Sequence, residues 1–149
     1  MTILEERVEK EMKEAAKARD VIKLSTLRLV RAAVHNRRID LQKDLEDKDV
    51  LQVLSSMAKQ RKDSIEQFRR GGRTDLVERE ESELAIIKTF LPREMSEQDI
   101  RAEVDRVVSE LGATGPGDMG AVMKALMPVV AGKADGKVVS DIVKAVLTS

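Results

Sequence analysis

The stretch GATGPGDMGAVMKALMPVVAGKADG, Gly112–Gly136, carries most of the turn signals in the chain. It holds six of the eight glycines and two of the three prolines. A Gly-Asp pair and an Asp-Gly pair each stand before an apolar run of helical spacing, which predicts helix N-caps at Asp118 and Asp135. Gly132 is expected to end the first of these helices. Glycines beside a helix start also suggest an anion site, but an N-cap Asp occupies the free N–H groups itself, which favours capping.

Upstream of this stretch, the chain has the pattern of long, charged helices with few breaks between them. Apolar residues recur every three to four positions, which places them on one face of each helix. Gly71-Gly72 separates the third helix from the fourth, and Pro92 stops the fourth. The predicted fold is all-α, with an N-terminal four-helix domain at residues 1–92 and a compact C-terminal three-helix domain at residues 93–149. The first two helices are predicted at Ile3–Ala18 and from Val21 to about Leu41. The third is capped by Asp47 or Asp49 and runs to about Arg70, and the fourth runs from about Thr74 to Phe90.

The composition excludes several classes of function. Lys and Arg number 27 and so do Asp and Glu, so no global field draws the protein toward nucleic acid or membrane. The absence of cysteine excludes disulfides and thiolate chemistry, and a single histidine without an HExxH motif argues against zinc. The sequence shows neither a secretory signal nor an apolar run long enough to span a bilayer. We therefore expect a cytoplasmic protein that uses no metal, no cofactor and no membrane.

One side of the second predicted helix is basic. Arg28, Arg31, His35 and Arg38 follow one another at offsets of three, seven and ten residues, so their side chains share a face about three turns long. A solvated face with partners one turn away is the simpler interpretation. The alternative is a binding face, for which nucleic acid is the candidate ligand.

Other basic side chains could join such a contact. The candidate nucleic-acid-binding residues on the second and third helices and at the glycine turn are Arg28, Arg31, Lys59, Lys62, Arg69, Arg70 and Arg73. The last three are the best local patch, because a flexible glycine turn lets basic side chains meet a phosphate backbone. Aromatics for base stacking are nearly missing, so binding should be weak, salt-sensitive and directed at phosphate or shape.

The apolar stripes of the third and fourth helices are interrupted by polar residues at the same level. A tight turn at Gly71-Gly72 makes these helices antiparallel neighbours, so residues whose numbers sum to about 144 face each other. This register sets Arg61 opposite Glu83 and Ser64 opposite Glu80. We predict a semi-buried polar contact there. A structural lock on the register is favoured over a catalytic pair.

Three segments carry a resemblance to a known family. They are LSTLRLVRAAVHN at residues 24–36, KQRKDSIEQFRRGGRTDLVEREESELAIIKTFLP at residues 59–92, and GPGDMGAVMKAL followed by GKADGKVVSDIVKAVL between residues 115 and 147. Together they resemble the GatB/YqeY family over essentially the whole chain. The C-terminal half alone is similar to the tail domain of the GatB subunit of glutamyl/aspartyl-tRNA amidotransferase. Gly117 and Lys133 depart mildly from the family pattern, which usually has a charged residue and an arginine there.

The resemblance implies a two-domain, all-α protein and a link to tRNA. In the amidotransferase the tail helps to recognise tRNA, while the chemistry lies in parts that have no counterpart in this sequence. An accessory protein that binds tRNA or another RNA is therefore expected, with translation-related proteins as further partners. An amidotransferase-related carbon–nitrogen ligase that uses glutamine as nitrogen donor, or one component of such an enzyme, is one alternative. A protein–protein adaptor is the other, and no catalytic residue stands out in the sequence.

Overall fold

A computed structural model describes residues 1–131 and 133–149, so the predicted helix end at Gly132 lies outside the described residues. Within these two ranges the chain forms α-helices and one short 3-10 turn, with no strand, which confirms the all-helical prediction. The chain divides into two compact units, Met1–Leu91 and Pro92–Ser149. The helices are α1 Ile3–Ala18, α2 Val21–Leu41, α3 Asp47–Arg70, α4 Thr74–Lys88, α5 Glu97–Leu111, α6 Met119–Val130 and α7 Gly136–Thr148.

Local signals start and stop the helices of the first unit. The Glu5 N–H donates to the Thr2 hydroxyl at 3.1 Å, and the Thr2 N–H donates to the Glu5 carboxylate at 2.7 Å. This reciprocal capping box satisfies two N–H groups that the helix leaves unpaired. Between α3 and α4, Gly72 has a φ of 71°, a left-handed conformation that favours glycine. The turn it makes lets α3 and α4 pack along each other.

The core of the first unit is aliphatic. Its fully buried members include Leu27 and Val30 from α2, Leu54 from α3 and Ile87 from α4. Burying each such side chain contributes roughly 1.5–3 kcal/mol. The Arg7 guanidinium fastens α1 to the segment after α4, because it lies 4.3 Å from the centre of the Phe90 ring and donates to the Thr89 carbonyl at 2.9 Å.

Two helix boundaries differ from the prediction. Helix α4 ends at Lys88, and the predicted last residue, Phe90, lies in the following turn with only 3% of its surface exposed. The N–H groups of Thr89, Phe90 and Leu91 donate to carbonyls three residues back, so the α-helical pattern ends in a tighter turn. At the start of α3 the capping position is Glu46, because the Asp49 carboxylate reaches back and accepts the Glu46 N–H at 2.9 Å.

The second unit is built on a separate aliphatic core. Helix α5 packs against α6 and α7, and Val104, Val122, Leu126, Val139 and Val143 are completely buried. The Asp99 N–H donates to the Ser96 hydroxyl at 3.1 Å, and the Ser96 N–H donates to the Asp99 carboxylate at 3.2 Å. A capping box therefore begins α5, and Gly112 with a φ of 64° ends it.

The two predicted Asp caps in this unit behave differently. The Asp135 carboxylate accepts the Lys137 N–H at 2.8 Å at the start of α7. Asp118 makes no such bond to α6, and its carboxylate accepts the Thr114 N–H at 2.9 Å instead. Asp118 is still the N-cap residue of α6, and the 3-10 turn Pro116–Asp118 explains why its side chain makes no capping bond. Proline presets the turn, so the chain is already helical at Asp118 and the side chain reaches back into the loop.

Candidate nucleic-acid interface along helix α2

The basic face of α2 lines a cleft between α1 and α2. We call this space, of about 380 Å³, the α1/α2 cleft. Arg28, Arg31, His35 and Arg38 line it from the α2 side. Their spacing puts them on consecutive turns of one helix, about 15 Å from end to end. The structure thus brings the two predicted binding residues of α2 together with their helical neighbours.

Carboxylates of α1 stand across this cleft and pair with part of the basic face. Arg38 donates to the Glu5 carboxylate, and Arg31 Nη1 lies 3.6 Å from Glu9 Oε1. Arg28 has no carboxylate partner among the residues that the structure describes. The cationic character of the cleft therefore increases from its Arg38 end toward Arg28.

The contacts of Glu5 make it a structural residue. Burial by itself would raise the pKa of the Glu5 carboxyl, but the hydrogen bond from the Thr2 N–H and the charge of Arg38 outweigh burial and lower it. The side chain is 9% exposed and is committed to both partners. Glu9 is more accessible, with 34% of its side chain exposed, and it holds Arg31 only loosely.

At the Gly71-Gly72 turn, a carboxylate stands beside every arginine of the predicted patch. Arg69 Nη2 lies 3.0 Å from Glu81, Arg73 Nη2 lies 3.2 Å from Asp75, and Arg70 donates to Glu66. Three cations facing three anions leave no net local charge. All of these side chains are more than half exposed, so each pair stabilises the fold little and is weakened by salt. The structure therefore ranks α2 above the turn as a cationic surface.

The two predicted contact residues of α3 lie apart from the cleft. Lys59 and Lys62 are exposed, and neither lines the space between α1 and α2. The sequence makes them candidates by their positive charge alone. The two lysines would have to reach an RNA that extends beyond the cleft.

One of the polar residues that interrupt the apolar stripes of α3 and α4 is a buried carboxylate, Glu83. Glu83 is 6% exposed, with Arg61 Nε 3.5 Å from one oxygen and Arg79 Nε 3.6 Å from the other. The Arg61 Nε is buried and makes no aligned hydrogen bond, so this contact is an ion pair. Ser64 and Glu80 lie at the same level, but no hydrogen bond joins them in the part of the chain that the structure describes.

We predict that replacing Glu80 by glutamine stabilises the protein at neutral pH. Burial and the neighbouring Glu83 raise the pKa of Glu80 above its ordinary value of 4.5, and Arg61 and Arg79 only partly offset them. A raised folded-state pKa means that stability is lost as pH rises through that value. Glu80→Gln should therefore increase the free energy of unfolding by about 0.5 kcal/mol at pH 7.

The pH dependence distinguishes this effect from a change in packing. Urea unfolding followed by circular dichroism should show the advantage of Glu80→Gln at pH 7 and its disappearance below about pH 4, where the wild-type carboxyl is protonated too. Glu81→Gln serves as the matched control, because Glu81 is exposed and paired with Arg69. An equal gain in both variants, or a gain that grows toward low pH, would contradict the prediction.

A second concave surface lies on the other side of α2, against α3. This groove of about 430 Å³ is lined by the polar groups of Asn36, Arg37, Gln52 and Gln60, among others. The Arg37 Nε is buried and has no hydrogen-bond partner in the described structure. The sequence pattern assigns Arg37 no separate role, because its charge resembles that of the basic residues around it.

The exposed surface of α2 also carries large apolar side chains. Val21, Ile22, Leu29 and Ile39 are between 45% and 75% exposed. Single exposed apolar residues are ordinary, but four on one helix are more than its packing requires.

Among residues 1–131 and 133–149, no helix combines the length and the apolar content that crossing a bilayer demands. The same residues contain no cluster of three or more acidic or histidine side chains placed to hold a metal ion.

Comparison with known proteins identifies relatives over much of the chain. Three proteins named "Altered inheritance of mitochondria protein 41, mitochondrial" are similar to it. The protein from Lachancea thermotolerans is 40% identical over 112 residues, 73% of this chain and 60% of the relative. That from Kluyveromyces lactis is 32% identical over 113 residues, 73% and 60%. That from Saccharomyces cerevisiae strain YJM789 is 33% identical over 104 residues, 68% and 56%.

The names of these relatives contradict one prediction, and the match covers only part of their length. Their names place them in mitochondria, so the expectation of a cytoplasmic protein is wrong. The matched part spans about 60% of the length of these relatives. Their names state no substrate and no binding partner.

A family model supplies the broader assignment. The model described as "Yqey-like protein" matches residues 5–147, which include all the residues of the basic face and both compact units almost completely. This confirms the resemblance seen in the sequence segments. The chain belongs to the YqeY-like protein family.

Proposed function

We propose that this protein is an accessory RNA-binding protein, with tRNA as the favoured RNA, and that α2 supplies the contact. The observation that carries the proposal is the basic face of α2, whose four residues all line the α1/α2 cleft. Helix α2 contains five Lys and Arg residues and one Asp, a net charge of +4. The cleft itself keeps a net charge of +1 when Glu5 and Glu9 are counted against Arg28, Arg31 and Arg38. Such a local concentration of cations is the electrostatic signature of phosphate binding.

The pairing pattern of this face is compatible with RNA. Arg28 is free to contact a phosphate, and Arg31 can exchange a loose carboxylate contact for a shorter bidentate one. Arg38 is held by Glu5 and keeps the far end of the face in place. We therefore expect two or three phosphate contacts, which corresponds to modest affinity.

The mode of recognition follows from the side chains available. Phe90 is buried and Phe68 is partly buried, and the chain has no tyrosine or tryptophan. Binding therefore uses phosphate and shape rather than stacking on successive bases. Mild salt should weaken it strongly, because nearly all of its free energy comes from released counterions.

A protein–protein adaptor is the second candidate, and a separate observation supports it. Val21, Leu29 and Ile39 expose apolar surface on the same helix as the cations. A partner protein could cover them. A stable protein partner that co-purifies after nuclease treatment would favour this candidate over RNA binding.

Fluorescence anisotropy with labelled total tRNA tests the proposed function. Because the relatives are named as mitochondrial, tRNA from mitochondria is tested beside tRNA from whole cells. We expect binding at low salt, with a slope of about −1.4 to −2.7 when log K is plotted against log salt concentration. An absence of binding at low salt, or binding that salt does not change, would remove the proposal.

A further inference from the structure

We propose that the α1/α2 cleft holds one ribonucleotide unit, with its phosphate at Arg28 and Arg31 and its ribose hydroxyls at Glu9. This inference deepens the proposed function and rests on it where the unit belongs to an RNA. The ligand class follows from three features of the cleft, namely its size, the spare hydrogen-bonding capacity of Arg28 and Arg31, and its accessible carboxylate, Glu9.

The size and lining of the cleft suit one nucleotide. Its volume of about 380 Å³ lies at the lower end of the range typical of small-ligand pockets. Val8, Val34 and Val50 line it together with the charged residues, so the cleft has an apolar part. A nucleotide combines a base, which has flat apolar faces, with a phosphate at some distance from that base. The cleft offers the same two characters side by side.

The phosphate is assigned to the end of the cleft where cations have spare hydrogen-bonding capacity. Arg28 lacks a carboxylate partner in the described chain, and Arg31 has one only at 3.6 Å. Arg38 is engaged by Glu5 and is therefore a poorer candidate. A planar guanidinium binds phosphate through two parallel hydrogen bonds, which two neighbouring arginines can share.

The ribose is assigned by the carboxylate that remains available. Glu5 already accepts from Thr2 and Arg38, whereas Glu9 contacts Arg31 loosely and is 34% exposed. Carboxylates bind the ribose 2′-hydroxyl in nucleotide sites, and this hydroxyl is the group that distinguishes RNA from DNA. The cleft should therefore prefer a ribonucleotide to its 2′-deoxy counterpart.

A free nucleotide and a nucleotide unit of RNA share this chemistry, and two binding assays separate them. The first titrates AMP and 2′-deoxy-AMP into the ¹⁵N-labelled full chain and follows amide resonances by NMR. The second measures the anisotropy of a labelled 12-nucleotide RNA, with AMP as competitor. We expect AMP to shift amides near Glu9 and Ala32 and to bind about tenfold more tightly than 2′-deoxy-AMP. Glu9→Gln should remove most of that difference.

A variant that fills the cleft tests its role without touching the core. Ala32 is exposed and lines the cleft, so Ala32→Trp should fold normally and weaken AMP and RNA binding at least about tenfold. Ala102→Trp, at an exposed position of α5, is the matched control and should bind as the wild type does. Circular dichroism verifies that both variants are folded.

Each outcome decides between the two proposals. RNA binding that Ala32→Trp leaves unchanged, with no AMP-induced shifts near the cleft, overturns the ribonucleotide site and leaves the proposed function standing. AMP binding in the cleft without RNA binding supports the site, identifies a free nucleotide as its ligand and overturns the proposed function. Equal affinity for AMP and 2′-deoxy-AMP overturns the assignment of Glu9 to the ribose.

Discussion

Glu83→Ala is expected to lower the free energy of unfolding of the first unit by about 3 kcal/mol. The carboxylate is 6% exposed and lies between Arg61 and Arg79. Its loss leaves the Arg61 guanidinium, whose side chain is 14% exposed, without an opposite charge in a poorly hydrated place. A buried charge without a partner costs far more than the intact pair contributes. Urea unfolding, monitored by the loss of helical circular dichroism, measures the change.

Two further variants separate this mechanism from a simple loss of volume. The double variant Arg61→Met with Glu83→Leu should recover most of the stability, because it removes both charges and retains apolar bulk. Arg79→Ala should cost no more than about 0.5 kcal/mol, because the Arg79 side chain is 67% exposed. A Glu83→Ala variant within about 0.5 kcal/mol of the wild type would contradict our description of the pair as buried and interdependent.

Reversing the charge of Arg28 and Arg31 together is expected to weaken tRNA binding about a hundredfold at low salt. Each substitution removes a cation from the basic face and adds a carboxylate beside Glu5 and Glu9. The magnitude of the slope of log K against log salt concentration should fall by about 1.4 to 1.8, because each arginine makes one phosphate contact. Anisotropy measured over a series of salt concentrations gives both quantities from one experiment.

The matched control reverses two arginines at the glycine turn. Arg69→Glu with Arg70→Glu changes the net charge by the same amount, but those side chains already face Glu81 and Glu66. This variant should weaken binding less than about threefold, because their charge is neutralised locally. A larger loss of tRNA affinity for the turn variant than for the α2 variant would indicate that RNA contacts the Gly71-Gly72 turn instead.

The helices and the register of α3 against α4 were accessible from the sequence for physical reasons. Apolar spacing fixes which face of a helix is buried, and Gly71-Gly72 dictates a tight antiparallel turn. Given that turn, simple arithmetic on residue numbers sets Arg61 opposite Glu83, and the structure holds them 3.5 Å apart. Because Arg61 and Glu83 both lie on core-facing stripes, they are buried together and form an ion pair.

The partners of the exposed charges were less accessible. The same register rule sets Arg69 opposite Asp75, yet its long side chain reaches Glu81 instead. Rotamers of exposed Arg and Glu side chains, rather than helix positions, decide such pairs. The signal that was available is the abundance of carboxylates at the start of α4, which argued against a free cationic patch at the turn.

The α1/α2 cleft depends on two helices that the sequence treats separately. The spacing of Arg28, Arg31, His35 and Arg38 predicts a shared face, but it contains no information about Glu9 or the apolar lining. Asp118 shows a similar limit, because capping depends on where the chain first turns helical, and Pro116 moves that point upstream. Both features are products of packing and backbone path rather than of local residue preference.

Photocrosslinking of bound tRNA followed by mass spectrometry of the crosslinked peptides tests the central claim most directly. We predict crosslinks in peptides from α2 that contain Arg28, Arg31 or His35, and in the α1 peptide that contains Glu9. High salt or the double reversal of Arg28 and Arg31 should remove them. Crosslinks confined to the Gly71-Gly72 turn or to residues 93–149, or no crosslink at low salt, would contradict the assignment of RNA binding to the basic face of α2.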